Sequence, residues 1–161
     1  MEFLLTIPLM LLIRSDFKRR VVSVYTLLVF GSLQFIVVLM KEGIYETVIR
    51  TGINSVVLLF LGLGVCLYLL LKYGPVAFAT RRFIGSGDIV FLFFLTPAFA
   101  GLEFPKFLVI SFLLTLVGWG VCCKRKRELT IPLVATVGIC YLIRILIRFL
   151  FPICTVQYST L

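Results

Sequence analysis

Apolar residues run along this chain in long stretches, and polar residues gather in short clusters between them. Six apolar stretches stand out, at 3–13, 21–40, 48–71, 89–102, 107–123 and 131–151. The connections fall at 14–20, 41–47, 72–87, 103–106 and 124–130. The stretches are too long and too uniformly apolar for strands in so small a chain, so helices are the expected elements. A membrane-crossing helix needs about 20 mostly apolar residues, and in lipid a helix satisfies its own backbone. The pattern therefore predicts an all-α polytopic membrane protein of six transmembrane helices, folded as a single integral-membrane domain over 1–161. The first and fourth stretches are short for a span. The opening stretch carries Glu2 where a signal peptide would be basic, and no small-residue cleavage site follows, so it is expected to stay as the first membrane helix. The connection 72–87 is the longest and holds Gly74, Pro75, Gly85 and Gly87, which predicts a mobile loop.

Composition agrees with that pattern. The 161 residues are 61% hydrophobic and 14% charged, with a mean hydropathy of +1.18. A water-soluble globule carries about 25% charged residues. The net charge of +9 reports orientation rather than nucleic-acid binding. Eleven of the 16 basic residues lie in the first, third and fifth connections. The positive-inside rule places those connections in the cytoplasm. Histidine is absent and the five cysteines show no CxxC spacing, so neither a metal site nor a cofactor is expected. The cysteines are read as small buried apolar residues. Gly62, Gly64, Gly118 and Gly120 are read as places where helices pack closely, and Glu42 and Glu46 as solvated charges of an outer loop.

The scarce acids are the informative residues. Only two aspartates occur, Asp16 and Asp88. The predicted topology brings both to the cytoplasmic face, Asp16 at the end of the first helix and Asp88 at the start of the fourth. At about 1.5 Å per residue, both fall several ångström inside the membrane boundary, where an ionisable group is costly and marks function. Two carboxyls at close range do not both ionise easily. One keeps its proton and serves as general acid, and the other activates water as a base. The plainer alternative is that each carboxylate caps a helix or pairs with Arg19, Arg20, Arg81 or Arg82. Asp88 closes the run Gly85-Ser86-Gly87-Asp88. Glycine lets a backbone approach closely, as a strand-like substrate beside a catalytic acid requires. A turn with Ser86 or Asp88 as N-cap is the structural alternative.

These residues resemble the type IV prepilin peptidases, intramembrane aspartyl proteases with a Gly-x-Gly-Asp motif. The likeness covers essentially the whole chain as a six-helix core. It places the catalytic pair on Asp16, within Ser15-Asp16-Phe17-Lys18-Arg19-Arg20, and on Asp88, with Gly85, Ser86 and Gly87 as the motif. A proline motif opening the last helix is matched by Pro132 in Ile131-Pro132-Leu133. The chain has Val22-Ser23-Val24 where many members have Ile-Pro-Asn, and Val90 where many have lysine. The paired-cysteine insert of larger members has no counterpart, so no N-methylation is expected. The resemblance implies an aspartic endopeptidase of a bacterial or archaeal cytoplasmic membrane. It would cut the basic leader from prepilin-like precursors at the cytoplasmic face, without a cofactor or metal. Its partners would be those precursors and the lipid bilayer, with no nucleic acid. A small transporter or proton relay, or a catalytically silent assembly protein, stands as the alternative. A relay calls for polar residues continuing across the bundle, and the sequence offers few in its outer half.

Overall fold

The computed structural model describes residues 2–19, 23–80, 85–122 and 133–150, which are helical with no strand among them. A 3-10 turn over Glu2–Leu5 leads into α1, Thr6–Arg19. α2 is Val24–Thr80, α3 is Ser86–Leu95 with a 3-10 extension over Thr96–Ala98, α4 is Glu103–Cys122 and α5 is Leu133–Leu150. By length and composition, two helical stretches suffice to cross a membrane, Val24–Gly74 and Leu133–Leu150.

The first of these is not one straight rod. Gly43 has φ 81° and ψ 169°, a conformation that side-chain-bearing residues rarely adopt. Gly31 lies under the ring of Phe94, and Asn54 bonds Thr96 and Phe99, a few residues further along. A straight helix would hold Gly31 and Asn54 about 35 Å apart at 1.5 Å per residue. The chain therefore doubles back at Gly43, giving two antiparallel limbs, 24–42 and 44–73. Arg50 reaches across the break to Glu42 at 2.9 Å and pairs along its own limb with Glu46 at 3.7 Å, so these acids are ion-paired rather than simply solvated. The expected connection at 41–47 thus shrinks to a single non-helical residue.

Gly74 makes a second break, with φ 78°. Residues 75–80 are helical again, so the expected mobile loop is in large part helix. Pro75 stands at the first position after the break, where a missing N–H costs no helical bond.

Helix α1 runs antiparallel to α5. Asp16 meets the backbone of Ala135, Ile13 meets Gly138, and Phe3 meets Phe149. The core between the helices is largely aromatic. Phe30 stacks on Phe91 at 5.7 Å, and Phe99 lies 4.7 Å from Phe107 and 5.9 Å from Tyr141. The close helix contacts occur at Gly31 and Gly138. A Cβ on Gly31 would come within 2.5 Å of Phe94, and one on Gly138 within 3.0 Å of Ile13. A Cβ on Gly62, Gly64 or Gly118 would meet nothing within 4 Å among the described residues, which corrects their expected packing role. They face away from this chain's own core.

Polarity is arranged inside out. Gln34, Thr47, Asn54, Thr96, Ser111 and Thr115 are buried, whereas large apolar residues such as Phe60, Leu71 and Ile44 stand exposed. The interior is therefore more polar beyond the aspartates than the sequence suggested. Asn54 is the clearest case. The helix formed by α3 and its 3-10 extension stops short and leaves carbonyls without helical partners. The Asn54 side-chain amide donates to Thr96 O at 2.8 Å and to Phe99 O at 2.9 Å. Tyr141 donates its hydroxyl to Gln34 Oε1 at 3.0 Å. Arg144 and Arg148 both pair with Glu103, and the Arg144 guanidinium lies 3.8 Å from the centre of the Phe99 ring.

Candidate functional site

Three helix ends meet at one end of the bundle. They are the C-terminal turn of α1 and the N-terminal turns of α3 and α5. Asp16 lies near the end of α1, which continues through Arg19. The residue is 6% exposed. Its Oδ2 accepts a hydrogen bond from the Ala135 N–H at 2.8 Å. Ala135 is the third residue of α5, so its N–H has no partner within its own helix. A carboxylate there also meets the positive end of the α5 dipole. Asp16 thus caps a helix distant in sequence, a partner that no local motif announces.

Asp88 stands in the first turn of α3, half-buried, and its helix begins on Gly85 in extended conformation at φ −71° and ψ 131°. Gly85 O accepts from the Asp88 N–H at 3.1 Å. The Asp88 carboxylate folds back from the third helical position over Gly85. Gly85 is itself the N-cap, so neither Ser86 nor Asp88 is. A Cβ on Gly85 would lie 2.8 Å from Asp88 Oδ2. Only glycine leaves the carboxylate the space it occupies. Ser86 is exposed and Gly87 half-buried, in the turn that carries Asp88.

The structure brings Asp16 and Asp88 to the same end of the bundle, Asp16 against the first turn of α5 and Asp88 within the first turn of α3. Lys18, one turn from Arg14 on α1, is exposed. The side chains of Arg19, Arg20, Arg81 and Arg82, and the residue Pro132, lie outside the described residues. Cys66 and Cys140 are free, half-buried thiols. Among the described residues no group of three His, Cys, Asp or Glu side chains gathers to hold a metal.

Comparison with family models, with curated proteins and with solved structures gives no match to this chain. Chemical meaning therefore comes from the site itself. The chemistry on offer is that of two carboxyls in a poorly hydrated corner, one held by a backbone donor and one folded over a glycine. Such a pair shares a proton readily and passes it to or from a third group placed between them.

Proposed function

We propose that this chain is an integral-membrane aspartic endopeptidase of the prepilin-processing type. It takes precursors with a short basic leader followed by an apolar helix, and cuts between the two at the cytoplasmic face. The observation that carries the reading is the convergence of the chain's only two aspartates at one end of the bundle, with Gly85 clearing the space for Asp88.

The membrane placement rests on the exposed apolar surface, the buried polar interior and the two long apolar helices. Six crossings follow if α1, both limbs of α2, α3, α4 and α5 each traverse the bilayer. The bulk of the positive charge then lies in the cytoplasm. In this reading one carboxylate removes a proton from water, which attacks the scissile carbonyl. The other carboxyl, protonated, donates to the carbonyl oxygen to give a gem-diol. The first carboxyl then passes the proton it took from water to the leaving amine as the C–N bond breaks, and the second carboxylate takes a proton back from the diol. The chain around Gly85 and Gly87 forms the floor for the extended scissile segment.

The test is co-expression with a leader-bearing precursor, comparing wild type with Asp16→Asn and Asp88→Asn. Asparagine keeps an acceptor oxygen for the Ala135 N–H, so the Asp16 variant retains its helix cap. Both variants are expected to leave the precursor uncut. Processing at the wild-type level by both would end the protease reading.

A proton-relay or transporter reading draws on Gln34, Asn54 and Tyr141, buried beyond the aspartates. Those groups are bound to fixed partners, and Gln34 and Asn54 do not titrate. The reading of a catalytically silent assembly protein draws on the capping bond of Asp16. It is favoured if the two variants assemble normally and no precursor is cut by any form of the chain.

A further inference from the structure

Along the seam whose end holds Asp16, α1 and α5 leave a groove between them on the outer surface. Ile7, Met10, Leu11 and Arg14 of α1 face Ile139 and Leu142 of α5 around about 610 Å³. The walls are apolar except at one end, where Arg14 stands. Lys18 lies one turn further along α1 on the same face. Both side chains are exposed. Among the described residues no carboxylate pairs with either, whereas Arg50, Arg144 and Arg148 all have acidic partners.

We propose that this groove seats one anionic phospholipid. Its phosphate sits between Arg14 and Lys18, and an acyl chain runs along Met10, Ile7, Ile139 and Leu142. The proposal rests on the membrane placement above, and the arrangement has the polarity that placement requires. The cations mark the cytoplasmic end of α1, and the apolar channel leads from them toward the middle of the bilayer. A guanidinium grips a phosphodiester through paired N–H donors, and basic pockets between helices at the cytoplasmic side suit acidic headgroups. Two cations without a carboxylate favour an acidic headgroup over one that carries its own positive charge. The apolar walls favour a lipid over a free phosphate. The groove lies along the α1–α5 seam, whose next turn holds Asp16 on the Ala135 N–H. A bound lipid would therefore clamp the helix pair that positions Asp16.

The experiment measures thermal unfolding of the full chain in vesicles of phosphatidylcholine alone and of phosphatidylcholine mixed with phosphatidylglycerol. Retained lipid is read by native mass spectrometry. Wild type is expected to unfold at higher temperature with phosphatidylglycerol and to retain it. The Arg14→Gln/Lys18→Gln double variant should lose at least half of that rise, and Lys106→Gln, a charge change elsewhere, should keep it. Leu142→Trp, which fills the groove and leaves the charges alone, should also lose it. The proposal is overturned if the double variant and Leu142→Trp keep the full rise, if Lys106→Gln loses as much, or if inorganic phosphate reproduces it. The readout needs no substrate, and Asp88→Asn should show the full rise, so the lipid site stands or falls apart from the protease reading. A chain that stays in the aqueous phase without detergent would overturn both.

Discussion

Asp88 owes its position to an atom that is missing. Its Oδ2 occupies the space where any side chain on Gly85 would begin. Gly85→Ala therefore meets only the far end of a flexible side chain, and the carboxylate can turn away at little cost to the fold. The turned carboxylate loses the position over Gly85 that the proposed reaction uses. Precursor cleavage by Gly85→Ala is expected to fall by about 10-fold or more, which is about 1.4 kcal/mol of transition-state stabilisation, while the thermal midpoint stays near wild type. Cleavage rate and midpoint measured side by side decide it, and a variant as active as wild type removes Gly85 from the site. Asp16, Asp88 and Gly85 were legible in the sequence because acids are so scarce and the Gly-x-Gly-Asp run so short. The Ala135 N–H was not. It is a backbone group more than a hundred residues from Asp16, and backbone groups leave no mark on residue identity.

At the scale of elements, the most consequential side chain is Asn54. It stands on the second limb of α2 and ties off the end of the helix that carries Asp88. Both of its contacts are carbonyls, so its amide nitrogen must face them, and its Oδ1 finds no partner. Asn54→Leu leaves two carbonyls without donors in a buried place, at a cost of about 1–3 kcal/mol for each unsatisfied group. Unfolding in detergent is expected to show a loss on the order of 2 kcal/mol or more, and no loss would mean that other donors reach Thr96 and Phe99. The sequence carried a signal here that went unused, since Asn54 and Gln34 are lone amides within long apolar runs. The apolar periodicity located the helices well but not their ends. The first apolar run stops at Ile13, but the charged residues that follow belong to the same helix as far as Arg19. The periodicity read 41–47 and 72–87 as connections, where glycine dihedrals at Gly43 and Gly74 break otherwise continuous helix. The packing glycines were misplaced for a similar reason. Gly31 and Gly138 have the same local context as Gly62 and Gly118, and only the fold decides which of them meets a neighbour.

At the scale of the whole molecule, charge and hydrophobicity together determine which way the site faces. The carboxyl-bearing ion pairs of Arg50 with Glu42 and Glu46, and of Arg144 and Arg148 with Glu103, belong to the half of the bundle away from Asp16. They largely cancel there, whereas Arg14 and Lys18, exposed near the aspartate end, have no carboxylate partner among the described residues. The orientation proposed above turns the aspartates to the cytoplasm, as the positive-inside rule favours, and there they would meet the basic leader of a newly made precursor. Two exposed positions report the orientation directly. Ser23 precedes α2 near the aspartate end, and Tyr45, 74% exposed, follows the Gly43 break at the other. In a chain with its native cysteines replaced, Tyr45→Cys should react with a membrane-impermeant maleimide in intact cells. Ser23→Cys should react only after the membrane is opened. The reverse pattern would put both carboxylates on the outer face, beyond reach of a cytoplasmic leader, and the prepilin reading would fail even with a competent catalytic pair. Labelling at both positions in intact cells would mean that the chain does not separate its two ends across a bilayer at all, and the exposed apolar surface would then need a protein partner to cover it.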